Sequence, residues 1–376
     1  MERFQIKELV LFLVLNFLLT GFPGSLRSQT LEIHYINVGG GQSILIKGPD
    51  GTLMLIDGGR PGQGTWKVVP YLQSKGIKTT GRAIDYIINT HPHVDHDSGL
   101  IEVIRYGYNT RRVYSNGRVV KALRDATART SAGRVASIRL GQILPLGKGA
   151  TATCVAVNGS VIGIGAIPGG KANPNDCSVA LLIKYGHFDY LMTGDLGGGQ
   201  EDTACTGRST IQANIETPLV NTMMPGGVHP LLSAYGVEVA HVGHHGNDSS
   251  TNKDYMNKLS PRVACLSTGG PISGLDHVLN VLLKKIPCVT APPALVLQTE
   301  EAITIPNSKA SRAGYCVGDM VITTDGWSHY TVSASGAVTR GPDERAAAGL
   351  PKTYALDEGK SSAPKKFQVK KKKIKT

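Results

Sequence analysis

The segment THPHVDHDSG, residues 90–99, is the most informative stretch of this 376-residue chain. It places His91, His93 and His96 within six residues, with Asp95 among them. It continues the apolar run AIDYIINT, which has the length and composition of a buried strand. Neutral imidazole and carboxylate are typical zinc ligands, and a loop at a strand end can bring them to one point. The segment therefore predicts a metal site, with His91 and His93 on a first ion and Asp95 and His96 facing a second.

Three further polar motifs stand at the ends of predicted strands. Asp195 closes MTGD, where its carboxylate could bridge two cations about 3.5–4 Å apart. His244 and His245 follow the strand VEVAHV and can complete the second ion's ligands, and the sequence does not decide which of them does so. Asp57 in LIDGG is expected to accept the outer N–H of a ligand histidine, the alternative being an Asp that only caps a turn.

The rest of the chain predicts a layered α/β sandwich, because strands alternate with helices throughout. LEIHYINV and QSILIKGPDGTLMLIDGG indicate strands. WKVVPYLQSKG indicates a helix despite Pro70, and SVALLIKYGHFDYLMTGD indicates a hairpin turned at Gly186-His187. NKDYMNKLS and DHVLNVLLKKI indicate two later helices, and DMVITTDGWSHYTVSA a closing hairpin. With 41% hydrophobic residues, the chain can bury a large core, which excludes a mini-protein or a disordered chain.

Composition predicts three regions. Residues 1–28 hold an apolar run too short for a spanning helix and are expected to be a signal peptide, which implies a secreted or periplasmic protein. A retained membrane anchor is the alternative. Residues 31–335 are expected to form one domain, in which 197–230 is an inserted loop near the site and a candidate lid. Residues 336–376 are expected to be a disordered, Lys-rich tail.

The net charge of +12 first suggests a nucleic-acid-binding protein. Seven lysines in the last dozen residues and a net +1 in residues 1–28 leave only +4 for residues 29–364. Most of the net positive charge therefore lies in the tail. The tail could bind a polyanion such as nucleic acid, a wall polymer or an anionic membrane; a solvated tail without a partner is the alternative.

Two sequence features argue against a dinucleotide-binding site and a cysteine zinc site. GIGAIPGG lacks the G-x-G-x-x-G spacing, so no dinucleotide cofactor is expected. The six cysteines contain no CxxC pair, which argues against a cysteine zinc site. They are expected to be mostly buried free thiols, with room for one bridge in an exported protein.

HPHVDH, LIDGG, TGD and VGHHG together resemble the motifs of the metallo-β-lactamase superfamily. INVGGGQSILI, NPNDCSVALLIKYG and YGVEVAHVGHHGNDSST are most similar to the lactamase-like domain of the ComEC/Rec2 competence proteins and their standalone secreted relatives. The resemblance spans residues 31–335 and implies a four-layer αββα sandwich. It also implies two divalent ions at one edge of the sandwich, expected to be zinc, with manganese or iron as alternatives. The ligands that it implies are His91 and His93 for the first ion, Asp95 and His96 for the second, Asp195 as the bridge, and one of His244 and His245.

The sequence also departs from that superfamily. Its hydrolases often supply a third histidine to the first ion, but the only histidine in that interval is His187, in a hairpin turn. The first ion is therefore expected to be more open, or to use Asn175 or Asp176. Gln42 stands where the relatives often carry an acid. Substrate contacts are expected from the non-ligand histidine of the 244–245 pair and from His277.

The chemistry that the resemblance implies is hydrolysis by a hydroxide that bridges two ions, since metal binding lowers the pKa of water. Asp95 would orient the hydroxide and accept its proton, and the free histidine would stabilise the oxyanion. The expected substrate is a phosphodiester, in nucleic acid or in a wall or lipid head-group ester. A lactonase, thioesterase or β-lactam hydrolase on the same site is the first alternative. A non-catalytic polyanion-binding module is the second.

Overall fold

The computed structural model describes residues 29–206, 212–269, 278, 281–283, 286–301 and 314–356. Within them, two mixed β-sheets form the centre of the molecule. The strands are β1 (Leu31–Tyr35), β2 (Ile44–Lys47), β3 (Leu53–Ile56), β4 (Tyr86–Asn89), β5 (Val113–Ser115), β6 (Val135–Ser137), β7 (Ile143–Gly147), β8 (Ala150–Val157), β9 (Ser160–Val161), β10 (Gly165–Ala166), β11 (Ala180–Tyr185), β12 (Phe188–Met192), β13 (Val239–His241), β14 (Val263–Leu266), β15 (Leu295–Gln298), β16 (Tyr315–Cys316), β17 (Met320–Thr324), β18 (His329–Ala334) and β19 (Lys352–Ala355).

Six α-helices accompany the described strands. They are α1 (Val69–Ser74), α2 (Val94–Tyr106), α3 (Lys121–Thr127), α4 (Thr203–Thr206), α5 (Glu216–Met223) and α6 (Lys253–Leu259). A π-helical turn, Gly64–Val68, runs directly into α1. The predicted helix in WKVVPYLQSKG is thus confirmed, and Pro70 is tolerated because it lies in the first turn of α1. The helix predicted in NKDYMNKLS is α6, whereas most of DHVLNVLLKKI lies outside the described residues.

The first sheet has the order β19-β18-β17-β1-β2-β3-β4-β5-β6, and the second β10-β9-β8-β11-β12-β13-β14-β15-β16, with β7 beside β8. Strands joined by tight turns pair antiparallel, whereas β3 to β6 and β12 to β16 pair parallel, since longer connections separate them. The pairing of Tyr185 with Phe188 confirms the two-residue turn at Gly186-His187.

The two sheets pack face to face around one apolar core. Tyr35 of the first sheet and Tyr190 of the second meet there, with their hydroxyl oxygens 2.8 Å apart. Buried side chains of α2, such as Leu100, cover the outside of the first sheet, and Leu219 of α5 helps to cover the second. The predicted αββα sandwich is therefore confirmed, and most strands are apolar on both faces because both faces are covered.

The folded part of the chain extends further than residue 335. β19 pairs antiparallel with β18, and Leu356 is buried in the core between the sheets. The prediction that residues 336–376 form a single disordered tail is therefore wrong as far as residue 356. The sequence does not reveal β19 because KTYA is a short, largely exposed edge strand in a polar context.

Two terminal predictions concern residues beyond this description. The signal peptide or anchor in residues 1–28 and the lysine run after residue 356 both lie outside the described residues. Among the residues that are described, no helix is both long enough and apolar enough to cross a membrane.

Residues 197–230 are more regular than the predicted loop. Helix α5 buries Leu219, Val220 and Met223 against the second sheet, so this part is a packed layer element. Helix α4 carries Cys205, which forms a disulfide with Cys288. The other four cysteines are free and buried, in agreement with the expected thiols and one bridge.

Candidate metal centre

The predicted ligands converge where parallel strands of both sheets end. His91 follows β4, Asp195 follows β12, and His244 and His245 follow β13. The carboxyl ends of parallel strands share one edge of a sheet, and open α/β sheets bind ligands there. His96 lies in the first turn of α2, directly after β4 and its loop. The edge is buried, since His91 and His96 are fully covered and Asp195 is 2% exposed.

Two groups of side chains could each hold a metal ion, and they share His96. The first consists of His91, His96 and Asp195, and the second of Asp95, His96 and His245. Within each group the ligand atoms lie within 4.8 Å of one another. His93 adjoins the first group, because its Nδ1 lies 3.0 Å from His91 Nε2.

Asp195 lies between the groups. Its Oδ2 is within 4 Å of four imidazole Nε2 atoms: those of His91 at 3.6 Å, His96 at 3.3 Å, His244 at 3.7 Å and His245 at 3.9 Å. Its Oδ1 is buried without a hydrogen-bond partner among the described residues. A buried carboxylate oxygen without a partner is costly, and a cation would remove that cost.

The outer nitrogens of the candidate histidines are held by oxygen atoms. His96 Nδ1 lies 2.7 Å from Asp57 Oδ2, and His245 Nδ1 lies 2.9 Å from the Ser267 carbonyl oxygen. His91 Nδ1 lies 3.2 Å from Ser178 Oγ. With these Nδ1 atoms donating, each Nε2 keeps its lone pair and faces the centre, which is the usual arrangement of metal-binding histidines. The donor set therefore fits divalent ions of the zinc, manganese or iron type.

The protonation states of the clustered histidines and carboxylates depend on one another. Burial alone would raise the pKa of Asp195, but His96, His244, His245 and His91 hold it well below its usual range. Burial would lower the pKa of His96, yet Asp195 and Asp57 hold it well above its usual range. In the absence of an ion, protons on the imidazoles compensate the carboxylates. A metal ion would take over that compensation and release protons on binding.

The structure distinguishes the two histidines of the 244–245 pair. His245 is buried, and its Nε2 lies 3.2 Å from His96 Nε2 and 3.6 Å from Asp95 Oδ2. His244 is 20% exposed, and Ser249 Oγ holds its Nδ1 at 2.5 Å. Both residues have positive φ angles, 49° and 56°, a conformation that is uncommon for residues other than glycine. The geometry therefore makes His245 the candidate ligand and leaves His244 at the opening.

The structure also separates Asn175 from Asp176, the two candidates for the missing third-histidine position. The Asp176 carboxylate accepts hydrogen bonds from the backbone N–H groups of Gly197 and Ala213, so it is engaged away from the centre. Asn175 Nδ2 lies 3.3 Å from His244 Nε2, and its Oδ1 is buried without a partner among the described residues. Asn175 is thus the residue of the two that reaches the cluster.

Of the two other histidines that the sequence analysis considered, the structure describes only His187. His187 lies in the β11–β12 turn, where its ring packs against Trp327 at a centroid distance of 5.3 Å. It is therefore not the third ligand. His277, predicted to contact substrate, lies outside the described residues.

Several residues around the centre were not found from the sequence. Thr90 Oγ1 donates to Asp57 Oδ2 at 2.6 Å, and Gln42 Nε2 donates to the same oxygen at 3.0 Å. The Gln42 amide thus stabilises the Asp57 carboxylate by a hydrogen bond, whereas a carboxylate at position 42 would repel that of Asp57. Ser178 and Ser267 carry no motif of their own, and only their place next to β11 and β14, the strands that flank β12 and β13 in the second sheet, could have indicated them.

His241, the last residue of β13, is a further buried histidine near the cluster. Its ring stacks on Tyr35, and its Nε2 has no partner among the described residues. Burial, together with the neighbouring His245, lowers its pKa to about 3, so it is neutral. It therefore adds an uncharged layer beneath the candidate ligands.

Comparison with known proteins agrees with this site. Residues 36–151 match the model of the metallo-beta-lactamase superfamily. This segment of the chain is therefore similar to a metallo-β-lactamase superfamily domain, in agreement with the resemblance of its motifs.

Individual relatives are distant. The chain is 24% identical over 258 residues to ComE operon protein 3 of Bacillus subtilis strain 168, covering 63% of this chain and 28% of that protein. The chain thus spans less than a third of this relative. The metallo-beta-lactamase fold protein YhfI of Bacillus subtilis is 12% identical with a TM-score of 0.42, covering 71% of this chain and 96% of that one. CmlA, a diiron beta-hydroxylase from Streptomyces venezuelae, is 14% identical with a TM-score of 0.37, covering 64% and 45%.

Proposed function

We propose that this protein is an exported phosphodiesterase with a dinuclear metal centre. The observation that carries the proposal is the position of Asp195, whose Oδ2 lies among four imidazoles while its Oδ1 is buried without a described partner. One carboxylate between two His/Asp groups is the arrangement that two-metal hydrolysis requires. His91, His93 and Asp195 would hold one ion, and Asp95, His96, His245 and Asp195 the other.

Two divalent ions bound there would lower the pKa of water to about 7 and neutralise charge on a phosphoryl oxygen. Asp95 and His244, 22% and 20% exposed, are accessible members of the cluster. Burial would raise the pKa of Asp95, but His245 and His96 hold it below its usual range. Asp95 is therefore a carboxylate at neutral pH, able to orient the attacking water and accept a proton. His244 lies where it can contact a substrate oxygen.

Two observations support the finer parts of the proposal. The resemblance of the motifs to those of the competence proteins favours a phosphodiester over a lactam, and the site has Asn175 rather than a histidine beside His244. The Cys205–Cys288 disulfide suits an oxidising compartment, which favours export by the apolar amino-terminal segment.

The test is a substrate panel with metal-loaded protein, comprising bis(p-nitrophenyl) phosphate, a lactone, a thioester and a β-lactam. We expect turnover of the phosphodiester, and a loss of about 100-fold or more in Asp195→Asn and Asp95→Asn. Asp125→Asn, at an exposed position of α3, is the matched control and should retain full turnover. Circular dichroism verifies that all variants fold. Unchanged turnover in Asp195→Asn, or turnover of the lactone or lactam alone, would refute the proposal.

A further inference from the structure

A small basic pocket of about 210 Å³ lies beside the candidate metal centre. Its walls include the glycine segment before β2, the π-helical turn before α1, and the loop after β18. Three cations line it: Arg60, Lys67 and Arg340. None of the three side chains makes a hydrogen bond or ion pair with another described residue. The proposed hydrolysis does not use this pocket.

One acid, Glu300, also lines the pocket, but its lone pairs are occupied. Its carboxylate accepts from Asn37 Nδ2 at 2.6 Å, from Thr339 Oγ1 at 2.7 Å and from the backbone N–H of Arg340 at 2.8 Å. Glu300 therefore fixes the loop that carries Arg340. The pocket keeps a net positive charge of about +2, because three cations face one saturated carboxylate.

The pocket is connected to the metal centre by direct backbone contacts. Gln42 N donates to Asp95 O at 3.1 Å, and a Cβ added at Gly41 would lie 2.5 Å from that same oxygen. On the opposite wall, Gly269 stands two residues after Ser267, whose carbonyl holds His245. A Cβ at Gly269 would lie 2.5 Å from the Gly39 backbone, so the two walls touch. The backbone segments that line the pocket are therefore continuous with those that hold Asp95 and His245 in place.

An exposed aromatic ring lies on the π-helical turn that carries one of these cations. Trp66 is 73% exposed and directly precedes Lys67 on that turn. Its ring lies against Gly62, where an added Cβ would approach it to 2.9 Å. Exposed aromatic rings and cations together bind single-stranded nucleic acid, in which bases stack and phosphates pair with cations.

We infer that this pocket binds a phosphate group of a nucleic-acid strand, while Trp66 stacks on a neighbouring base. The bound phosphate belongs to the strand that is cleaved but is not the phosphate whose ester bond is hydrolysed. The inference rests on the proposed phosphodiesterase function, whose substrate it narrows to a strand with several phosphates. Arginine binds phosphate with paired hydrogen bonds, so Arg60 and Arg340 carry the recognition.

The experiment compares nitrophenyl thymidylate with nitrophenyl esters of oligothymidylates that carry one to three additional phosphates, all with metal-loaded full-length protein. We expect kcat/KM to increase once a phosphate reaches the pocket. In Arg60→Gln and Arg340→Gln, the preference for the longer ester over nitrophenyl thymidylate should fall about tenfold. Arg134→Gln, an exposed arginine at the amino end of β6 and so at the opposite edge of the sheet, is the matched control. An equal loss in Arg134→Gln, or an unchanged preference in both pocket variants, overturns the inference.

Binding separates this inference from the proposed function, because it needs no turnover. Oligothymidylate affinity is measured against salt, and each pocket variant should reduce the slope of log K against log salt by about 0.7. Trp66→Ala should weaken oligothymidylate binding and leave poly(glycerol phosphate) binding unchanged. If the esters are not cleaved but the slopes fall, the proposed function fails and the pocket stands. If poly(glycerol phosphate) depends on Trp66 as strongly as oligothymidylate does, or if the slopes do not change, the nucleic-acid pocket is refuted.

Discussion

The Nε2 atoms of His96 and His245 lie 3.2 Å apart, although 149 positions separate the residues in the chain. Each ring is turned inward by an oxygen on its other nitrogen: Asp57 for His96 and the Ser267 carbonyl for His245. Two imidazole lone pairs directed at one point repel each other unless a proton or a cation lies between them. This pair is therefore a candidate position for the second ion.

The two adjacent histidines should respond differently to truncation. His245→Ala should lower the bound metal from close to two ions per chain to close to one, because it removes a candidate ligand. His244→Ala should retain the metal and lose turnover, because His244 lies at the opening. Elemental analysis of purified protein and hydrolysis of bis(p-nitrophenyl) phosphate measure the two effects. Equal metal loss in both variants would show that the assignment is wrong.

Asp57 should affect metal binding indirectly, by orienting the ring of His96. Asp57→Asn should weaken metal affinity about 10–100-fold, since partners that orient a ligand histidine have effects of this size. Competition with a chelator measures the affinity. Asp254→Asn, at a half-exposed position of α6, is the control and should retain normal affinity. An Asp57→Asn protein that holds metal as tightly as this control would contradict the positioning role.

The lysine run should affect polyanion binding only. Deleting residues 357–376 removes eight lysines, namely Lys360 and the seven of the terminal run, and none of the candidate metal ligands. We expect weaker retention on an immobilised polyanion and a less negative salt slope, because fewer counterions are displaced. Turnover of bis(p-nitrophenyl) phosphate should remain unchanged. If retention is also unchanged, the tail has no role in polyanion binding.

Glu32 should make stability depend on pH. Hydrogen bonding to His34, together with Lys47 and against the effect of burial, lowers the pKa of Glu32 to about 2. A lowered folded-state pKa stabilises the protein above the unfolded pKa of about 4.3, and this contribution is lost as pH falls towards 2. Glu32→Gln should therefore cost about 1 kcal/mol at pH 7, after allowance for solvent screening, and almost nothing near pH 2. Urea unfolding at both pH values measures this; a cost independent of pH would exclude the ion pair as its source.

The extent of the sequence prediction can be seen at particular residues. His91, His93, Asp95 and His96 were found because they fall within one loop after one strand, where spacing alone brings them together. Asp57 and Asp195 were found because they too follow strands. By contrast, β19 was missed, since a short edge strand is stabilised by pairing with β18 rather than by a pattern of its own.

The sequence by itself thus determined the layered α/β sandwich and the candidate ligand types, because strand periodicity and loop spacing are local properties; the αββα arrangement was implied by the resemblance of its motifs. Only the tertiary structure decided between His244 and His245, because the choice depends on the burial of His245 and on the carbonyl of Ser267 at the end of another strand. It also selected Asn175 over Asp176, whose carboxylate is engaged by Gly197 and Ala213. These contacts join segments distant in the chain, so packing, and not spacing, determines which of two neighbouring side chains faces the centre.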